Sequence, residues 1–342
     1  MPTHPQTRLR GPWLRALAAI ALLLLPRLTV AAEPPAMPIV IAHRGASGYL
    51  PEHTLPAKAL AHGQGADAIE QDVVMTKDGV PVVLHDTTLD AVSDIAVKFP
   101  GRARADRKHH CTDFTLAELQ TLSLTERLDP ATGQQTYADR FPRGQSRFGI
   151  VTLEDELEFL AGLNKSTGRT VGIYPEIKSP AWHRSEGHDI AKAVVDILHR
   201  HGYATKADPC HIQCFEADEV KRIRGELGWQ GKLVQLIGGK DQDRLVTPEG
   251  LAAIATVADG IGPPIERILD PAGKPTGLVE RARAVGLVVH PYTLRRDRLP
   301  SWAGSFDDLQ GALFAAGVDG VFSDFPDLTV AWLRRRATGR PD

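Results

Sequence analysis

Short apolar runs recur along this chain: Ile39 to Ala42, Ala68 to Met75, Pro81 to Leu84, Val171 to Ile177, His211 to Phe215, Lys232 to Ile237, Gly260 to Ile261, Leu287 to Tyr292 and Gly320 to Phe322. Most are continuous rather than alternating, the pattern of strands covered on both faces in a parallel sheet wrapped by helices. Helical periodicity fills most of the gaps. Pro56 to His62 follows Thr54 as a cap, Leu153 to Leu163 follows Thr152 with acids in its first turn, and Ile190 to His201 ends at Gly202. Strand and helix alternating over about 290 residues predict an α/β fold, a (β/α)8 TIM barrel.

Nine strands are one too many for that barrel, and Thr76-Lys77-Asp78-Gly79 accounts for the surplus. Asp-Gly between two β runs is a strong hairpin signal, so Pro81 to Leu84 is read as a hairpin return rather than a barrel stave. A two-residue Asp78-Gly79 turn would place Asp72 opposite His85. The stretch 87–149 is far too long for a simple connection and reads as an inserted cap after the third strand segment, with Phe114 to Leu122 as its one clear helix. Its Lys108-His109-His110 run is read as a solvated loop.

The longest apolar run, Ala16 to Leu25, is of another kind. Arg8, Arg10 and Arg15 precede it, Pro26 follows, and Val30-Ala31-Ala32 offers small residues at the cleavage positions. Too short to span a bilayer, it reads as a secretory signal over residues 1–32, removed to leave a single secreted barrel domain, 33–342. No Cys lies near the cleavage point, so no lipid anchor is expected. The 342 residues carry a net charge of −2, and removing the leader takes four arginines and no acid, leaving −6. A mildly acidic chain has no Lys/Arg excess for a nucleic-acid partner, and a small-molecule substrate is expected instead. Oligomeric state is not legible. Cys210 and Cys214 would lie about 13 Å apart on one face of a strand, too far to bridge; a pairing of Cys111 with either is left open.

Four strand ends carry polar residues where buried strands should be apolar, and such mismatches mark function. His43-Arg44-Gly45 follows the first strand, at the end that forms the catalytic face of a barrel. Glu70 and Asp72, two apart, point to one face of an apolar strand, as do Glu176 and Lys178. Val82-Val83-Leu84 runs into His85-Asp86. Glu70, Asp72 and Glu176 offer hard oxygen ligands, which favours Ca²⁺ or Mg²⁺ over zinc. His43 and His85 then remain for proton transfer, with Arg44 and Lys178 as cations for phosphate oxygens. Together they describe a phosphodiester-cleaving site.

His43-Arg44-Gly45, Pro51-Glu52-His53-Thr54, Glu70-Gln71-Asp72, Thr76-Lys77-Asp78-Gly79, Val82-Val83-Leu84-His85-Asp86, Pro175-Glu176-Ile177-Lys178 and Gly320-Val321-Phe322-Ser323-Asp324-Phe325-Pro326 resemble the glycerophosphodiester phosphodiesterases. Gly172 to Pro180, Gln213-Cys214-Phe215 and Val289-His290-Pro291-Tyr292 resemble the secreted, periplasmic bacterial branch. The resemblance implies that the barrel is distorted, and implies metal-dependent hydrolysis of glycerophosphodiesters, such as glycerophosphocholine and glycerophosphoethanolamine, to sn-glycerol 3-phosphate and an alcohol. It implies His43 and His85 as the acid/base pair, Glu70, Asp72 and Glu176 as ligands of Ca²⁺, and Arg44 and Lys178 as phosphate holders, with Gln213, Tyr292 and Phe322 lining the pocket. His53, where many relatives carry Asn, is read as leaving the catalytic residues undisturbed. The family's route through the substrate's own hydroxyl and a cyclic phosphate is not separable by sequence from direct water attack. Two other readings fit the residues: a phospholipase C/D-like enzyme acting on intact lipids, and a non-catalytic periplasmic binding protein on the same barrel.

Overall fold

The computed structural model describes Met1, residues 37–129 and residues 131–338. The expected leader therefore lies outside the described residues, Met1 aside. No helix among the described residues is long and apolar enough to cross a membrane.

All nine expected strands form. They are β1 (Ile39–Ala42), β2 (Ala68–Met75), β3 (Pro81–Val83), β4 (Gly172–Ile177), β5 (His211–Cys214), β6 (Lys232–Leu236), β7 (Gly260–Gly262), β8 (Val288–Val289) and β9 (Gly320–Ser323). Eight of them pair in the parallel order β8-β7-β6-β5-β4-β2-β1-β9, while β3 pairs antiparallel with β2 alone. The remaining gap is bridged by backbone hydrogen bonds, Asp319 N to Val289 O and Phe322 N to Pro291 O, both at 3.0 Å. The result is a nearly closed eight-stranded parallel barrel with helices between the strands.

Local chemistry sets the helix ends. Leu55–Gln64 starts at Thr54, whose hydroxyl accepts from Ala57 N, and stops at Gly65 with φ of 97°. Leu153–Thr167 opens with a reciprocal capping box between Thr152 and Asp155. Ile190–Arg200 follows the Asp189 cap and buries Ile190, Val194, Ile197 and Leu198 against the barrel.

Residue alternation along the strands sorts the barrel interior into layers. Ile41, Ala68, Tyr174, Val234 and Phe322, from five different strands, pack together as an apolar floor. One or two steps of the period-two repeat further along lie His43, Glu70 with Asp72, Glu176 with Lys178, and Asp324. Register places Asp72, Glu176 and Gln213 side by side on adjacent strands.

The hairpin differs from expectation by one residue. Thr76 O accepts from Gly79 N at 3.1 Å and Thr76 N donates to Val80 O at 3.0 Å, making a three-residue loop of Lys77, Asp78 and Gly79. Gly79 takes φ of 79°, the left-handed residue that closes such a loop after a tight turn. Val73 therefore faces Val83, and Leu84 N donates to Asp72 O at 2.9 Å. Leu84, not His85, stands opposite Asp72.

The 87–149 insertion has its own apolar cluster, in which Leu89, Val92, Ile95, Phe114, Leu122 and Phe148 pack against Val74, Val82 and Leu84 of the hairpin. The expected helix from Phe114 to Leu122 shrinks to Leu116–Leu119, because Thr115 caps it and holds Phe114 in extended conformation. Ile95–Lys98 is a second short helix there. The Lys108-His109-His110 run is not a solvated loop throughout: His109 is buried, its Nδ1 bonded to Asp90 at 2.7 Å. All three cysteines are buried and free.

Candidate active site

One cavity of about 540 Å³, open at its mouth, is lined by every residue singled out from the sequence: His43, Arg44, Glu70, Asp72, His85, Glu176, Lys178, Gln213, Tyr292 and Phe322. The charged layer of the barrel forms its base.

The turn after β1 seats the first pair of functional groups. Arg44 adopts φ of 59°, and its backbone N–H donates to Glu70 Oε2 at 2.6 Å. Gly45, at φ of 87°, passes so close to the next helix that a Cβ there would meet Ala57's carbonyl carbon at 2.8 Å, so glycine alone fits. His43 is thereby fixed at the cavity wall. Its Nδ1 donates to Asp324 Oδ1 at 2.6 Å, which leaves Nε2 toward the cavity. Burial and the Arg44 guanidinium push the His43 pKa down to about 4, so the ring is neutral at pH 7.

His85 repeats the arrangement with a different partner. Its Nδ1 donates to Asp86 Oδ1 at 2.6 Å, and burial, Arg44 and Lys178 lower its pKa. No hydrogen bond to Nε2 of either imidazole occurs among the described residues.

The carboxylates sit between these rings and the strand floor. Burial and the neighbouring Asp72 raise Glu70 well above the ordinary carboxylate range, and burial raises Glu176 likewise. Burial would raise Asp72 too, but the Lys178 ammonium, His85 and His53 hold it well below. Lys178 Nζ lies 2.8 Å from Glu176 Oε1 and 3.6 Å from Asp72 Oδ1. Asp72 Oδ1 is buried with no hydrogen-bond partner among the described residues, the mark of a carboxylate with unused ligand capacity. Crowded buried carboxylates with an orphaned oxygen fit a divalent cation.

His53, given no place in the site from the sequence, lies against its carboxylates. It is 1% exposed, its Nε2 donates to Asp72 Oδ2 at 2.8 Å, and its Nδ1 faces Lys58 Nζ at 3.3 Å. His53, Glu70 and Asp72 bring ligand atoms within 4.8 Å of one another, a group able to hold a metal ion. The residue sits at φ of 61°, a backbone region that Asn enters more readily than most side chains, which suits a position where relatives carry Asn. Beneath it the fully buried Lys58–Glu156 pair, at 3.0 Å, props the site, with Lys58 also donating to Glu70 O.

Further residues with no role assigned from the sequence meet partners remote along the chain. Asp324 Oδ2 accepts from Arg140 Nη2 at 2.6 Å and from Arg295 Nε at 2.9 Å. Arg127 grips Asp86 at 2.6 Å and Glu52 at 2.6 Å, and Glu52 also holds Arg44 at 2.9 Å. Arg127 and Arg140 come from the insertion, so the cap is wired into both Asp–His pairs.

Comparison with known proteins gives the same picture. Residues 43–328 match the model of the Glycerophosphoryl diester phosphodiesterase family. A glycerophosphodiester phosphodiesterase of Haemophilus influenzae is 44% identical over 326 residues, covering 86% of this chain and 90% of the relative. One from Treponema pallidum is 36% identical, covering 87% and 92%. Among solved structures, a Silicibacter pomeroyi DSS-3 protein assigned to the same enzyme class superposes with a TM-score of 0.69 at 25% identity, over 89% of this chain and 95% of that one. An Oleispira antarctica phosphodiesterase in complex with the product sn-glycerol-3-phosphate gives 0.63 at 22% identity, over 87% and 97%. A catalytic-face cavity, paired imidazoles, clustered carboxylates and these likenesses converge: the chain is an enzyme of the glycerophosphoryl diester phosphodiesterase family.

Proposed function

We propose that this enzyme hydrolyses glycerophosphodiesters, glycerophosphocholine and glycerophosphoethanolamine among them, to sn-glycerol 3-phosphate and an alcohol, with His43 and His85 as a base and acid pair. The observation that carries this reading is the presence of two imidazoles, each tethered at Nδ1 by a carboxylate at 2.6 Å, on one cavity with Arg44 and Lys178. The product held by the Oleispira antarctica relative supports it.

His43, whose neutrality owes most to burial, takes the proton of the attacking hydroxyl at Nε2. A phosphodiester anion entering the cavity pairs with Arg44 and Lys178, the two cations that depress His85. With that repulsion relieved, His85 takes up a proton from solvent at Nε2, and this Nε2–H is passed to the leaving alcohol oxygen as its bond to phosphorus breaks. Asp324 and Asp86 hold each ring in the tautomer these steps need and stabilise each imidazolium. The attacking hydroxyl is the substrate's own or that of water.

Glu70, Asp72 and Glu176 would hold Ca²⁺, with Mg²⁺ the alternative; Glu70 and Asp72 already converge, with His53 behind Asp72, whereas Glu176 stands outside that group, paired with Lys178 at 2.8 Å, and would have to turn from it to ligate. Such an ion supplies Lewis-acid polarisation of a phosphoryl oxygen. The Ala16 to Leu25 run and the Val30-Ala31-Ala32 site support a cleaved leader and a periplasmic mature protein.

Glycerol 3-phosphate release from glycerophosphocholine, with Ca²⁺ and with chelator, tests the reading. Ca²⁺-dependent turnover abolished by His43→Ala is expected; turnover indifferent to either change overturns it.

A further inference from the structure

A second cavity, of about 470 Å³ including its mouth, adjoins the first and shares with it His43, Arg44, His85 and Arg295. The two cavities thus meet at both imidazoles, the place where a phosphorus atom would sit on the reading above. A phosphodiester has two arms, and a phosphorus at that junction sends one into each cavity. The first cavity, with the carboxylates and the Phe215, Leu236 and Tyr292 wall, receives one arm. The second is roofed by the insertion through Arg127, Tyr137 and Arg140.

The chemistry of the second cavity is one-sided. Its carboxylates are in use: Glu52 takes guanidinium hydrogens on both oxygens, and Asp324 takes His43 on one oxygen and Arg140 and Arg295 on the other. Its aromatic face is in use as well, since the Arg140 guanidinium lies 3.6 Å over the Tyr137 ring centroid. Donors remain. Arg295 binds Asp324 through Nε alone, and its two terminal nitrogens have no hydrogen-bond partner among the described residues. An ammonium group finds neither a free carboxylate nor a free ring there. A hydroxyl-bearing group finds spare guanidinium donors.

With the glycerol arm and its attacking hydroxyl set beside the carboxylates of the first cavity, the geometry points to the second as the subsite of the leaving alcohol, built to bind hydroxylated head groups through the terminal nitrogens of Arg295. The inference rests on the proposed phosphodiesterase reaction and adds to it which head-group chemistry the insertion-roofed side recognises. Arg295 is a binding residue here, and it also positions Asp324.

The test is kcat/KM for glycerophosphoinositol and for glycerophosphocholine in the wild type, Arg295→Gln and Arg295→Lys. A purely structural loss through Asp324 lowers both substrates by the same factor, so the ratio between them is the readout. Loss of charged-donor hydrogen bonds predicts that Arg295→Gln lowers the inositol ester about tenfold more than the choline ester. Arg295→Lys, which keeps the charge beside Asp324 but loses the fork, should shift the ratio the same way by a smaller factor. An unchanged ratio in both variants overturns the subsite while leaving the hydrolase reading intact. A wild type that cleaves neither ester overturns both.

Discussion

The two imidazoles at the heart of the site are tethered alike and built differently. Each binds a carboxylate through Nδ1 at 2.6 Å, yet the His43 and Asp324 side chains are 10% and 2% exposed while those of His85 and Asp86 are 30% and 29% exposed. His43 reaches across the barrel closure to a residue 281 positions away, whereas His85 uses its immediate neighbour. Asp324 is further clamped by Arg140 and Arg295, Asp86 by Arg127 alone. The first pair is therefore a product of the closed barrel and the more buried of the two. The second rides at the end of a short hairpin strand under the insertion, nearer to water, as suits a group that must change its protonation when substrate arrives.

The largest effect expected from breaking this symmetry is on the rings themselves: His43→Ala and His85→Ala should each lower kcat for glycerophosphocholine by about 10²–10⁴-fold, read as glycerol 3-phosphate release. Next come the tethers. Asp324→Asn should cost about 10²-fold or more in kcat, because it misorients His43 and leaves the Arg295 guanidinium beside a neutral amide, while Asp86→Asn should cost less, since its imidazole is partly solvated. Steady-state kinetics of the two variants side by side decide the order, and equal losses would contradict the contrast drawn here.

A pH scan of stability sharpens the difference without touching catalysis. His43 and His290 are lowered to about 4 and His53 to about 3, each mainly by burial. In the unfolded chain these rings take up protons near pH 6.5, so below that pH the unfolded state binds more protons than the folded one. Their stabilisation is complete above about 6.5 and is lost as pH falls toward 4. These rings pull the melting temperature of the metal-free protein down over that window, against the raised carboxyls of Glu70, Glu126 and Glu176, which act in the opposite sense, so His43→Phe should make stability less sensitive to acid than in the wild type. The smallest effect is expected at His53: His53→Asn preserves a donor to Asp72 and should change Ca²⁺ affinity, measured by calorimetry, less than tenfold, whereas His53→Leu, which leaves Asp72 Oδ2 without that donor, should weaken it by about 10–100-fold.

The same contrast explains what could be read in advance. The strand runs are legible because continuous apolar stretches have one use, and His43, Glu70, Asp72, Glu176 and Lys178 stand out because a charge is costly in such a run. His85 is legible by its position after Val82-Val83-Leu84, although its register was not: a three-residue loop closed by Gly79 shifts the pairing by one from a two-residue turn, and both begin with the same Asp-Gly signal. Asp324, Arg140 and Arg295 carry no local mark of their role, because nothing near them in sequence says which side chain they will meet after the barrel closes. His53 was hidden for another reason. A substitution at a turn looks harmless until the structure shows its Nε2 on a buried carboxylate.

The assignment of opposite roles to the two tethered rings is tested most directly by leaving-group dependence. The kcat of His43→Ala and His85→Ala should be compared on glycerophosphocholine and on glycerol phosphate esterified to p-nitrophenol, whose departure needs no proton. His85→Ala should recover most of its activity on the nitrophenyl ester while His43→Ala stays impaired. Equal impairment of both variants on both esters, or recovery of His43→Ala alone, would contradict the account.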